Sequence, residues 1–371
     1  LHYPNFKNKT LVQKDLANTL KIIASKGRKG SYEGEIAEKI SSEIKKNNGL
    51  ISKSDLKNYS PVWREPLISN YRDTEIITMG PPSSGGLHVI QMLNILENYD
   101  LKKIGHNSLE YINLLTEVMK FAYADRSKYL GDPDFYDVPI KKITSKKYAN
   151  DINKNIQIGK LTPVNEINPG KYMDGESHET THFSVVDKTG NVISMTYTLN
   201  STFGSKVVIE GTGILMNNEM DDFSAAPGIP NQFNLLGAEA NEIAPFKRPL
   251  SSMTPTIVLK DKELFFTTGS PGGARIISAV LQSIVNIIDF NMNLEDTTAA
   301  KRIHHQWYPD ILEYEFTLDN TIEKNLKKMG YKTESKLPLT CLQTIMFSDG
   351  MYYGYGDFRR VDALASGNIN D

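Results

Sequence analysis

A layered α and β fold is predicted by three observations. The first third of the chain carries apolar residues at helical intervals. From Phe183 onward, short runs alternate apolar with polar residues and are joined by turn residues. Further helical stretches stand between and after those runs, so strands and helices mix instead of forming an all-α or all-β chain. At 371 residues the length fits two domains or one large one.

Taken in order, Thr10-Leu11-Val12-Gln13 has capping-box spacing, and Leu11, Leu16, Leu20, Ile22 and Ile23 follow it to a stop at Gly27. A second helix fits Glu33 to Lys46, and Ser52-Lys53-Ser54-Asp55 opens another. Leu67, Ile68, Tyr71, Ile76 and Ile77 predict one or two strands between Pro66 and Met79. The Pro81–Gly86 loop opens a helix through Leu96, and Ser108 begins the longest helix, to about Tyr129. Lys141 to Glu179 is rich in Asn, Lys, Pro and Gly, and reads as loop or linker. Lys188-Thr189-Gly190-Asn191 turns a strand around Phe183–Asp187 into one at Val192–Leu199. Strands at Thr254–Leu259 and Leu264–Thr268 precede a helix from Ala274 to about Phe290. The chain closes with a helix at Thr321–Lys328 and a hairpin of Gln343–Phe347 with Met351–Tyr355.

Composition excludes several classes. Forty-two basic against 44 acidic residues give a net charge of -2, without the basic stripe of a nucleic-acid binder. Hydrophobic residues at 39% are too many for a disordered chain. Cys341 is the sole cysteine, which excludes a disulfide framework and a cysteine-rich zinc site. No run of eighteen apolar residues occurs to span a membrane. The chain starts at Leu1 and shows no signal peptide, which reads as a processed or partial form.

Familiar catalytic motifs are missing as well: GxxxxGK(S/T), HExxH and GxSxG do not occur. His304 and His305 are adjacent, so one metal cannot readily take both. What remains is Glu179-Thr180-Thr181-His182, where a polar loop runs into a strand. The two threonines can simply begin that strand. Alternatively, a cut before Thr180 would free an α-amine of pKa ~7.7–8.0 to serve as base for its own hydroxyl. Thr198 and Asn200 end the returning strand of the same hairpin. Glu219, Asp221 and Asp222 crowd into four residues and could hold an ammonium group. Ser251-Ser252 offer hydroxyl donors, and Gly272-Gly273 before a helix could present N–H groups to an oxyanion.

Thr180–Asp187, Gly190-Asn191 and Thr196–Gly204 together resemble the signature of the γ-glutamyltransferase (glutathione hydrolase) family. The likeness continues through Gly213–Ser224, Lys247–Met253 and Gly269–Gly273, and upstream in Pro81–Gly86, Tyr123–Ser127 and Gly131–Asp134. The resemblance implies an α+β N-terminal-nucleophile hydrolase, a four-layer αββα sandwich. It implies self-cleavage between Glu179 and Thr180 into a large-subunit part (1–179) and a small catalytic part (180–371), which pair as one composite domain. Thr180 is then the nucleophile, Thr198 its supporting hydroxyl, and Gly272 with Gly273 the oxyanion hole. Asn200, Glu219 and Asp222 match positions at the substrate α-amino group, and Ser251 and Ser252 positions at its α-carboxylate. Phe233 falls on the loop that covers the pocket.

The implied reaction releases the amine part of glutathione or another γ-glutamyl compound and leaves a glutamyl ester on Thr180. Water or an amino-acid or dipeptide acceptor then takes the glutamyl group, with no metal or organic cofactor. Bacterial family members are usually exported, so the resemblance implies a periplasmic or secreted protein. A long N-terminal stretch of the family, including an arginine that clamps the α-carboxylate, has no counterpart here. A related acylase, a poly-γ-glutamate hydrolase and an inactive truncated family member therefore stand as alternatives.

Overall fold

The structure, a computed structural model, describes residues 10–167, 180–226, 229–232, 234–338, 340–361 and 363–367. These form two compact units: the described residues up to 64 with 201–218, and those of 65–200 with those from 219 onward.

The smaller unit holds helices Lys14–Lys26, Arg28–Tyr32, Gly34–Lys46 and Lys53–Asn58, with a short hairpin of Val208–Ile209 and Ile214–Leu215. Ile36, Ile40 and Ile209 form its core. The Ser52 cap is made as predicted: Asp55 N–H donates to the Ser52 hydroxyl, and the Ser52 N–H donates back to the Asp55 carboxylate at 2.7 Å. The cap predicted at Thr10 is not made. The helix begins at Lys14 behind Gln13, with no side-chain cap. Leu11 and Val12 are 65% and 66% exposed, so no packed surface holds a first turn there.

The larger unit is built on a six-stranded antiparallel sheet. Its strands are β1 (Leu67–Tyr71), β2 (Thr74–Thr78), β5 (Thr256–Lys260), β6 (Glu263–Thr268), β7 (Gln343–Ser348) and β8 (Met351–Gly356), adjacent in that order. Strands from before and after residue 180 thus share one sheet, with Thr74–Thr78 of β2 paired to Thr256–Lys260 of β5. The two-residue turns are local chemistry. Asp261 and Lys262 both take positive φ between β5 and β6, as do Asp349 and Gly350 between β7 and β8.

A second sheet is the hairpin of β3 (Thr181–Val186) and β4 (Val192–Tyr197). Asp187 closes its turn, accepting from the Thr189 and Asn191 N–H groups at 2.8 and 2.9 Å. The hairpin lies against the large sheet: Ser194 donates to the Thr268 carbonyl and Ser184 to that of Gln343, both at 3.3 Å. The approach is tight at Gly269, where an added Cβ would stand 2.1 Å from the His182 ring.

Helices α1 (Gly85–Leu96), α2 (Leu109–Tyr129) and α3 (Arg275–Ile288) belong to one apolar core with the sheet residues Ile76, Val258 and Phe266. Every residue of α1 is buried. At roughly 1.5–3 kcal/mol for each fully buried aliphatic side chain, Leu87, Val89, Ile90, Met92, Leu93, Ile95 and Leu96 hold it there. Helix on sheet on sheet is the α+β stack of the N-terminal-nucleophile hydrolase fold.

Two sequence expectations need correction. Lys141 to Glu179 is not loop throughout: Ile140–Ile143 and Lys146–Asn153 are helical, the second capped by Ser145 and burying Ala149 and Ile152. Lysines and asparagines around those apolar positions hide the periodicity. A three-stranded sheet of Ile303–His304, Leu312–Glu315 and Thr333–Lys336 was also not predicted. Its central strand buries Glu313 and Glu315 in ion pairs, with Arg275 and with Arg302 and Arg359 respectively, so it does not read as alternation.

Candidate active site

The hairpin brings Thr180 and Thr198 together. Thr181 pairs with Tyr197, so the residues just beyond that pair, Thr180 and Thr198, stand at the same end. Thr180 is 8% exposed, and its carbonyl accepts from Arg360 Nη1 at 3.2 Å. Asn200 takes φ +75° and donates its N–H to Thr198 Oγ1 at 2.8 Å. Two residues along β3, His182 Nδ1 lies 2.7 Å from Thr196 Oγ1. Burial lowers the His182 pKa to about 4, so the ring is neutral at pH 7 and gives the strand no charge.

The acids lie on a single 3-10 turn, Glu219–Asp222. Asp222 and Glu219 are hydrogen-bonded through their carboxyl groups, and both pKa values are raised. For Asp222 burial is the largest cause, followed by repulsion from Glu219, with Arg126 opposing. Two buried carboxyls in contact are costly to ionise together. Asn241 holds the turn, donating to the Asp222 carbonyl at 2.7 Å. Asp221 is engaged elsewhere, accepting from the Gln232 N–H at 2.9 Å.

Ser251 and Ser252 are positioned by the loop that opens α1. Ser251 N–H donates to the Pro82 carbonyl, and Ser84 N–H and Oγ both donate to the Ser251 carbonyl, each at 2.8 Å. Gly272 and Gly273 take φ +135° and +55° immediately before α3, a path that glycine adopts without strain.

Thr180, Thr198, Asn200, Asp222, Ser251, Ser252 and Gly273 line one cleft of ≈ 310 Å³, open solvent at its mouth included. Glu219 reaches the cleft through Asp222, and Gly272 precedes Gly273 in the chain. Glu179 and Phe233 lie outside the described residues. Sequence reasoning assigned nothing to Arg126, which also lines the cleft. It stands in the last turn of α2, where a basic residue ordinarily reads as a helix-end charge, so the sequence carried no signal for it. Among the described residues no group of three or more His, Cys, Asp or Glu is placed to hold a metal ion. No helix there is long and apolar enough to cross a membrane.

Stacked antiparallel sheets with a threonine heading the β3–β4 hairpin define the N-terminal-nucleophile hydrolase class. Within it the chain belongs to the γ-glutamyltranspeptidase family, whose profile matches residues 5–367. It is 50% identical over 365 residues to the glutathione hydrolase proenzyme of Escherichia coli K12, covering 98% of this chain and 63% of that protein. It is 39% identical over 322 residues to the acylase ACY 1 proenzyme of Pseudomonas sp. SE83, covering 87% and 55%. The crystal structure of cephalosporin acylase from Bacillus halodurans matches with a TM-score of 0.80 at 27% identity, over 94% of this chain and 61% of that one. The chain therefore spans less than two thirds of the length of these relatives.

Proposed function

We propose that this chain carries the centre for γ-glutamyl transfer and hydrolysis, acting on glutathione and related γ-glutamyl amides. The observation that carries the proposal is a cleft lined by Thr180 together with the acid Asp222 and the hydroxyl residues Ser251 and Ser252. Glu219 is coupled to Asp222 behind that lining. A glutamyl group has the matching ammonium and carboxylate.

The chemistry needs only side chains and backbone. In the precursor, Thr180 Oγ attacks the Glu179 carbonyl, the peptide nitrogen leaves as an amine, and water hydrolyses the resulting ester. The freed α-amine then takes the Thr180 hydroxyl proton as Oγ attacks the γ-carbonyl of the substrate. That proton passes to the departing nitrogen as the C–N bond breaks. Water or an amine attacks the glutamyl ester, and the proton returns to Thr180. Thr198 Oγ1 accepts from the Asn200 N–H, which fixes the hydroxyl beside Thr180. Gly272 and Gly273 supply N–H groups to the oxyanion, a contribution typically worth 10²–10³ in rate for each donor. Parts 1–179 and 180–371 would stay paired, in a periplasmic or secreted enzyme as the family resemblance implies. A γ-glutamyl affinity label tests the reading: it should add its mass to Thr180, and an unlabelled Thr180 in a folded chain would refute it.

The acidic pair predicts a proton balance. Both pKa values are raised, and the pair is proposed to hold one proton between them; an ammonium group favours the deprotonated pair, so substrate binding drives that shared proton off. Affinity for α-amino ligands should therefore rise as pH rises from the acid side toward neutrality. Calorimetry in two buffers of different ionisation enthalpy should detect proton release, and Asp222→Asn should abolish it. Zero exchange in the unsubstituted chain would contradict the shared proton. The acylase reading is favoured only by the acylase relatives. Glutaryl anilides lack the ammonium group, so γ-glutamyl anilides should turn over much faster, and the reverse order would favour the acylase.

A further inference from the structure

Two segments that line the cleft are joined by one side chain. Asn241 ends the short 3-10 helix Glu239–Asn241 and is 4% exposed. Its Nδ2 donates to the Asp222 carbonyl at 2.7 Å, and its Oδ1 accepts from the Leu250 N–H at 3.0 Å. Its own carbonyl accepts from the Ser224 N–H at 2.9 Å, a second tie to the acidic turn. A single amide thus spans from the turn that carries Glu219 and Asp222 to the loop that carries Ser251 and Ser252. Asp222, Leu250, Ser251 and Ser252 line the cleft, whereas Asn241 stands behind them.

The bridge has a direction that few side chains can copy. An amide carries donors and an acceptor on one rigid plane, and here each faces the opposite kind of backbone group. A carboxylate in its place would set an oxygen against the Asp222 carbonyl. An apolar side chain would leave that carbonyl and the N–H of buried Leu250 without their partner, a costly loss. The segment that carries Asn241 is also held from outside. A Cβ added to Gly131, just past α2, would stand 1.9 Å from the Ala240 carbonyl, so the two backbones are in close contact. The serine loop has its own fixed point on that side, where the Arg248 N–H donates to Asp132 Oδ2 at 2.9 Å. With both neighbours anchored, the length of the Asn241 side chain determines how far apart the acidic turn and the serine loop stand.

We propose that Asn241 is a positioning residue that sets the spacing between Asp222 and the Ser251–Ser252 loop, and so selects ligands whose ammonium and carboxylate share one carbon. This rests on the γ-glutamyl reading of the cleft. Asn241 acts through two backbone partners, so its substitution should change which head group fits and leave the chemistry at Thr180 in place.

The test uses the self-cleaved enzyme and two competitive inhibitors of γ-glutamyl anilide hydrolysis. One is L-glutamate; the other is L-β-homoglutamate, whose ammonium lies one carbon farther from the head-group carboxylate. The unsubstituted enzyme should prefer L-glutamate by roughly ten- to hundredfold, the range of one hydrogen bond to a charged group. Asn241→Leu should cut that preference by about threefold or more and raise KM for the anilide more than it lowers kcat. A residue that only braced the fold would weaken both inhibitors alike and leave their ratio in place. An unsubstituted enzyme with a ratio near one, or an Asn241→Leu ratio equal to the unsubstituted one, overturns the proposal. Should Asn241→Leu fail to cleave itself or lack a cooperative melt, Asn241→Ser decides, since its short hydroxyl cannot span both partners. A reduced ratio in that variant supports the proposal, and an unchanged one overturns it. Failure of the γ-glutamyl reading shows separately, as an unlabelled Thr180 in the unsubstituted chain.

Discussion

Thr180→Ala is expected to leave the purified chain in one piece and to lower γ-glutamyl turnover by about 10⁴-fold or more, the scale seen when a nucleophile is removed. Alanine keeps the backbone of β3 and the Arg360 contact to the residue-180 carbonyl but has no Oγ. Neither the attack on the Glu179 carbonyl nor the glutamyl ester can then form. Intact-mass spectrometry should show two pieces, of 179 and 192 residues, for the unsubstituted chain and one piece of 371 for the variant. Thr180→Ser keeps the oxygen and should still cleave. An alanine variant that splits at the same bond would remove Thr180 from the mechanism.

Glu315→Gln should cost about 3–5 kcal/mol of stability, the penalty for breaking a buried ion pair by removing one partner. The Glu315 side chain is fully buried, 2.6 Å from Arg359 Nη2 and 3.9 Å from Arg302 Nη1. Asp357 joins the same group, at 2.9 Å from Arg302 and 3.1 Å from Arg359. Glutamine fills the same space but leaves two guanidinium groups with one carboxylate. Urea denaturation in the Thr180→Ala background, where the chain stays single, should show a lower midpoint at unchanged slope. A loss below 1 kcal/mol would mean that Asp357 alone balances both arginines. The group also holds Asp357, three residues before Arg360, so activity in the cleaved protein should fall along with stability.

The hairpin of β3 and β4 and the turns at Asp261-Lys262 and Asp349-Gly350 were legible because their chemistry is local, as was the Ser52 cap. Thr10 has the same capping pattern and fails, because a cap stabilises a first turn only where packing supports it. The helix at Lys146–Asn153 and the strand at Leu312–Glu315 escaped notice. In one, lysines dilute the apolar face; in the other, charges fill positions that apolar residues usually hold. At the candidate site, Thr180, Thr198, Asn200, Asp222, Ser251 and Ser252 could be named from sequence through their family resemblance. Arg126 could not, since what places it in the cleft is contact with Ser84 and with Ser252, which lies 126 positions away. Composition carries no trace of that approach.

The pairing of β2 with β5 bears on what a cut at residue 180 would do. The two pieces would share a sheet, five residue pairs deep at that seam, and α1 and α3 would share one core. Neither piece could leave without exposing strand edges and apolar side chains. Scission would turn a unimolecular folding reaction into a second-order association. Once unfolded, the cut protein should regain its structure at a rate that depends on concentration, whereas the uncut chain should not.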